Sequence, residues 1–301
     1  MRAITAFICT ALVAGCAMEP PPPVATGSGL PTTARVAGVP FHPQTGFRCG
    51  PAAMAQVMAT AGVPVPPEGM ADLFARPADD PRPLLTDVAH RYGRLAYPVV
   101  GVEAMMGELA AGHPVLILQN LGVRSQPMWH CIVAVGYDRV RGEVLVNSGG
   151  EEGKAMSVRL FERLWSDSGQ WGLLVLKPGD LPATADHRSY LQAARALEES
   201  GRHWEAVLAY DGALARWPAE AEALMGLGSS LHLLGDPQGA ADAYRAAAAL
   251  ADDPAPALDR LALVLAELGR RDEAVAAARE AVALGGPRKA SHERTLKDVM
   301  D

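Results

Sequence analysis

Four residues in the middle of the chain have the types and spacing for nucleophilic chemistry at an acyl carbon. Cys49 stands in the run Gln44-Thr45-Gly46-Phe47-Arg48-Cys49-Gly50-Pro51-Ala52-Ala53-Met54. Pro51 suits the first turn of a helix, where a missing N–H costs nothing. Met54, Val57, Met58 and Ala61 then recur at helical spacing, and Gly62 is a natural stop. The spacing predicts a buried helix that begins at Cys49, where the positive end of the helix dipole favours a thiolate. Gln44, five residues upstream, could aim its amide at an oxyanion above the sulfur, with the Cys49 N–H as second donor. A base is available in Trp129-His130-Cys131-Ile132-Val133-Ala134-Val135-Gly136-Tyr137-Asp138, which reads as a strand starting near its histidine. A turn to Gly142 and a returning strand over Glu143–Ser148 would bring Asn147 toward His130. His130 would then act as general base and acid, and Asn147 would fix its tautomer.

The same residues allow blander readings. Cys49 could be an inert core thiol, or it could pair with Cys131 in a disulfide. Cys131 follows His130 on a strand, so its side chain should face the opposite way, into the core. Asp138 is near enough in sequence to compete with Asn147, although its turn position suits a structural role. His42, His90 and His113 read as loop or surface residues, and Met105 and Met106 as core. No Cys-x-x-Cys or His-x3-His spacing points to zinc, and no cofactor is called for.

The elements around these residues suit an α+β domain. Val115–Leu118 and Trp171–Leu176 read as short buried strands, Thr86–Tyr92 and Val102–Ala111 as short helices. The run Pro178-Gly179-Asp180-Leu181-Pro182 marks a boundary. With Gln44-x4-Cys49-Gly50, His130 ahead of an apolar strand and Asn147 on the next, residues 37–182 resemble the C39-like branch of the papain-like cysteine peptidases. The chain differs from the usual C39 pattern in having Arg48 where an acidic residue precedes the cysteine and Asn147 where aspartate is usual. The resemblance implies an antiparallel sheet packed against helices, and hydrolysis of peptide bonds by Cys49, His130, Asn147 and Gln44. A peptidase-like scaffold without catalysis, or an acyl-transferring transpeptidase, would share these residues.

The two ends read differently. Residues 1–15 have the layout of a secretory signal. Leu12-Val13-Ala14-Gly15-Cys16 resembles a bacterial lipobox, which implies acylation of Cys16 and, with Ala17 next, the periplasmic face of the outer membrane. Residues 16–36, with four consecutive prolines at 20–23, read as a Pro-rich tether. At the other end Gly201, Gly235 and Gly269 are spaced by 34, as are Ala206, Ala240 and Ala274, and Ala213, Ala247 and Ala281. This period resembles the tetratricopeptide repeat. It gives three repeats over 187–288, a capping helix over 289–301 and an all-α solenoid that would bind a protein or peptide partner.

Composition sets the outer limits. The 301 residues are 49% hydrophobic and 20% charged, which excludes wholesale disorder. With 27 Lys and Arg against 34 Asp and Glu the net charge is −7, so nothing suggests a nucleic-acid partner. The only membrane contact expected is the lipid anchor. The whole reads as an α+β papain-like peptidase domain followed by a tetratricopeptide solenoid.

Overall fold

The computed structural model describes residues 29–43, 49–76 and 78–301. The signal, Cys16, most of the tether and Gln44 lie outside the described residues. In chain order the first part runs β1 (Thr33–Arg35), α1 (Cys49–Thr60), a 3₁₀ segment (Pro67–Phe74), α2 (Arg82–Arg91), β2 (Leu95–Val100) and α3 (Val102–Ala110). It continues through β3 (Val115–Asn120), β4 (Trp129–Asp138), β5 (Glu143–Ser148), β6 (Glu151–Ser157), α4 (Val158–Trp165) and β7 (Trp171–Leu176). Seven strands form one antiparallel sheet in the order β2-β7-β3-β4-β5-β6, with β1 added along β4.

Alternation along the strands divides the apolar side chains between two layers. Leu116, Leu118, Cys131, Val133, Val135, Leu173 and Val175 face α1 and α2, where they meet Met54, Val57, Met58, Leu85 and Val88. Ile117, Ile132, Ala134 and Leu174 face the other way, toward Met105, Met106, Leu109, Phe161 and Trp165. Helix α1 is buried along nine consecutive residues, Gly50 to Met58, because the sheet covers one flank and the 3₁₀ segment and α2 cover others. Helix α2 begins four residues before the expected Thr86, since Pro83 is compatible with a first turn. His90 is buried on α2 rather than at the surface; the helix turns it inward beside Val88 and Ala89.

The second part is helical throughout: α5 (His187–Glu199), α6 (His203–Arg216), α7 (Ala221–Leu233), α8 (Pro237–Leu250), α9 (Ala255–Glu267), α10 (Arg271–Leu284) and α11 (Lys289–Met300). Each helix packs on the next, and α11 also covers α9. Gly201, Gly235 and Gly269 have φ of +81°, +82° and +73° and close the turns within the three helix pairs. The alanines spaced by 34 are fully buried where helices touch. The first pair also joins the sheet: Tyr190, Leu191, Leu197 and Tyr210 share one core with Leu95, Tyr97 and Leu176.

Glu108 of α3 fastens the connection between the parts. Its carboxylate is wholly buried. It accepts from the Thr184 N–H at 2.7 Å, the Thr184 hydroxyl at 2.6 Å and the Ala183 N–H at 3.1 Å, and His113 Nδ1 lies 2.8 Å away. Burial alone would raise the Glu108 pKa, but the bonds from His113, Thr184 and Ala183 outweigh it and the net shift is downward.

Candidate functional site

Cys49 is the first residue of α1. Its N–H is one of the four that no helix can satisfy internally, and it points out of the helix end. No acidic residue occupies the first turn, so nothing there offsets the positive pole of the helix. Gly50 lets the ring of Phe74 lie against this turn: a Cβ at Gly50 would stand 2.7 Å from the ring carbons. The Cys-Gly pair therefore has a packing reason beside its chemical one.

Helix α1 delivers Cys49 to one end of β4. There β4 outruns its neighbour, because the β4–β5 ladder ends at the pair Val133–Asn147. Beyond that end the Cys131 thiol, the His130 ring and the Cys131 backbone N–H are the groups that act on the Cys49 sulfur. The Cys49 pKa falls to about 4, first through the Cys131 thiol. Burial opposes the shift, while the bonds from His130 and the Cys131 N–H and the attraction of the His130 charge add to it. The Cys131 thiol moves well above its usual value, through the bond to Cys49 and through burial. Of the two thiols, Cys49 is thus the one whose ionisation its surroundings favour. Cys49 is partly exposed, whereas Cys131 is buried, and no disulfide joins them.

Cys131 was expected to turn away into the core. It is buried on the α1 face of the sheet, but that face is where α1 brings Cys49. His130 is half-buried near the start of β4 and meets the same sulfur.

The partner expected for His130 was Asn147, and the hydrogen bonds do not bring the two together. Asn147 Nδ2 donates to Gln56 Oε1 at 2.8 Å, and its Oδ1 accepts from the Gly153 N–H at 2.8 Å. The register explains this. Opposite Val133, Asn147 shares the α1 face of the sheet and lies three positions along β4 from His130. The next residue, Ser148, places its Oγ 3.3 Å from His130 Nε2. Asp138 is at the opposite end of β4, about 27 Å away at strand rise, and its carboxylate caps the turn through the Arg141 N–H.

The loop between β3 and β4 borders the site. Asn120 holds it closed, accepting from the N–H groups of Gly122 and Met128 at 2.9 Å each and donating to Asp167 at 3.0 Å. Leu121, Val123 and Met128 stand exposed on it, and it leads directly into Trp129 and His130. Among the described residues, no three His, Cys, Asp or Glu side chains converge in a way that could hold a metal ion.

Comparison with known proteins follows the same division. Residues 36–171 match the model of the Peptidase_C39 like family. Residues 191–255 and 255–284 match two tetratricopeptide repeat models. A search of curated proteins finds no match. Among solved structures, a C39-like peptidase from Bacillus anthracis is 19% identical with a TM-score of 0.40, over 48% of this chain and 98% of that one. MamA is 23% identical with a TM-score of 0.35, over 38% of this chain, which spans only 62% of that protein. The translocator chaperone SycD of Yersinia enterocolitica is 17% identical with a TM-score of 0.36, over 38% of this chain and 82% of that one. The chain carries a C39-like peptidase domain followed by tetratricopeptide repeats.

Proposed function

We propose that this protein is a cysteine peptidase that cleaves peptide bonds through Cys49 and His130. One observation carries the reading: the Cys49 sulfur sits at a helix N-terminus beside His130 and the Cys131 thiol, which lower its pKa to about 4 and so favour the thiolate at neutral pH. The thiolate adds to the carbonyl carbon of the scissile bond. The Cys49 N–H and the Gln44 amide receive the oxyanion. His130 gives a proton to the departing amine, then takes one from the water that hydrolyses the thioester. Ser148 holds Nε2, the role first expected of Asn147. Asn147 instead ties β5 to α1 through Gln56 and so fixes the height of Cys49 over the sheet.

The repeats would recruit the protein or peptide partner. A groove of about 540 Å³ lined by all three repeats includes Arg195, Glu198, Tyr210, Glu222, Tyr244 and Arg260, a mixed-charge lining that suits a polar peptide. The lipobox-like run ending at Cys16 supports placing the enzyme on an acylated N-terminus at the periplasmic face of the outer membrane. The test is the rate of Cys49 alkylation against pH, with peptide mapping to locate the label, beside hydrolysis of an unstructured protein substrate. Rapid labelling down to about pH 5, together with hydrolysis lost in Cys49→Ala and in His130→Ala, is the expected result. A Cys49 that labels only above about pH 8, or hydrolysis indifferent to Cys49→Ala, would favour a scaffold without catalysis.

A further inference from the structure

We infer that Cys131 is a resolving cysteine for Cys49, so that the pair forms a reversible, peroxide-sensitive redox site inside the peptidase cleft. The inference rests on the thiolate reading of Cys49 given above and adds a regulation of that same site.

Three observations converge on it. Strand alternation puts Cys131 on the α1 face, in one cluster with Val133 and Met54, and Cys49 packs against that cluster. Each thiol is the largest influence on the other's ionisation, in keeping with the packing of Cys49 against the cluster that holds Cys131. Their exposure differs in the useful sense: Cys49 is open to small solutes and Cys131 is closed to them. A low-pKa, accessible thiolate beside a protonated thiol is the arrangement of redox-sensing pairs. Neither hydrolysis nor oxyanion binding requires a second thiol at this position.

The chemistry balances with hydrogen peroxide as oxidant. The Cys49 thiolate attacks one peroxide oxygen, the O–O bond breaks, and hydroxide leaves and is protonated to water. Cys49 is now a sulfenic acid. The Cys131 sulfur displaces that hydroxyl, its own proton leaving with it as a second water, and an S–S bond forms. Two thiols have lost two electrons in all, and one peroxide has been reduced to two waters. A dithiol reverses the change by exchange. In the oxidised state the nucleophile is consumed and hydrolysis stops. Cys131 thereby spares Cys49 from the sulfinic acid, which a dithiol cannot reduce.

The experiment uses the full chain, reduced, freed of reductant and exposed to hydrogen peroxide, with non-reducing peptide mapping. The expected product is a Cys49–Cys131 cross-linked peptide lighter by two hydrogens. Alkylation of Cys49 at about pH 6 is lost and then recovers to about nine-tenths on adding dithiothreitol. In Cys131→Ala the same treatment adds two oxygens to Cys49, and dithiothreitol restores less than about a tenth of the labelling. The inference fails if the wild-type chain, while labelling rapidly at about pH 6 when reduced, gives oxygen adducts on Cys49 and no cross-linked peptide. If the reduced chain does not label at that pH, the thiolate reading fails first and this one with it. The wild-type map is decisive even if Cys131→Ala folds poorly.

Discussion

Neighbours of two kinds lower the Cys49 pKa, and they separate experimentally. The Cys131 thiol contributes most, yet a thiol is a weak donor. A hydrogen bond to a charged group contributes about 1.5–3 kcal/mol, and the low end corresponds to about one pKa unit. Cys131→Ala should therefore move the midpoint of Cys49 alkylation upward by about one unit, read from the pH dependence of the labelling rate. His130→Ala should move it upward as well, and should also abolish hydrolysis. A midpoint unmoved in Cys131→Ala would show that the helix end and His130 suffice. The shift is also a statement about stability. The Cys49 pKa is lower in the folded than in the unfolded chain, so its contribution is complete above the unfolded value. It declines as pH falls and is gone below about pH 4.

At the scale of elements, one residue of register decides which side chain serves the histidine. Asn147 and Ser148 are adjacent on β5 and face opposite sides of the sheet. Asn147→Ala should cost stability by about 1–3 kcal/mol, because Gln56 and the Gly153 N–H lose a buried partner. Low-pH labelling of Cys49 should survive in this variant. Ser148→Ala should leave stability nearly unchanged and slow hydrolysis a few-fold. The reverse pattern, with catalysis lost in Asn147→Ala, would restore Asn147 as the partner of His130. Asn120→Ala should loosen the β3–β4 loop and raise KM more than it lowers kcat, measured on a peptide substrate with apolar residues.

Much of this element level was legible in the sequence. The strands Trp129–Asp138 and Glu143–Ser148 and the start of α1 announce themselves by apolar periodicity, Pro51 and Gly62. Asn147 was expected beside His130 and the hydrogen bonds put Ser148 there, because a hairpin brings strand ends together without fixing a register to one residue. The partnership of Cys131 with Cys49 was hidden because periodicity gives the face of a side chain and not what the opposing helix presents there. Strand β6 went unforeseen because its sequence, Glu-Glu-Gly-Lys-Ala-Met-Ser, is an exposed edge with no apolar alternation. The 34-residue period, by contrast, was plain, since every copy needs glycine in the turn and alanine at the helix contact.

For the whole molecule the question is whether the repeats are a separate module or part of the C39-like domain. The spacing of prolines at 178–182 suggests a boundary, yet the core runs across it. Tyr190, Leu191, Leu197 and Tyr210 lie in the same cluster as Leu95, Tyr97, Leu174 and Leu176. Glu108 binds the backbone at Ala183 and Thr184. Glu108→Ala would remove the acceptor of those two N–H groups and of the Thr184 hydroxyl, at about 0.5–1.5 kcal/mol each. It should lower the melting temperature by several degrees. Because the Glu108 pKa is depressed on folding, its contribution is present above the unfolded carboxylate value and fades as pH falls through the folded one. The wild-type advantage over Glu108→Ala should therefore shrink in acid.

The distal repeats stand apart from this core: α8, α9 and α10 share their own cluster, built on Tyr244, Leu258, Leu261 and Ala278. Two truncations separate the cases. A chain ending at residue 182 strips the sheet of the first helix pair and uncovers side chains whose burial contributes about 1.5–3 kcal/mol each. It should aggregate, or melt well below the full chain. A chain ending at residue 250 keeps α5 and α6 on the sheet and should retain low-pH labelling of Cys49, with loss confined to the last helices. If the chain ending at 182 instead melts within about 2 °C of the full protein, a shift worth less than about 1 kcal/mol, then the shared core is a contact without energetic weight. The repeats would then be free to move against the peptidase domain. The expected result makes the first repeat a wall of that domain, so a ligand in the adjoining groove would act on a surface continuous with the sheet that carries His130.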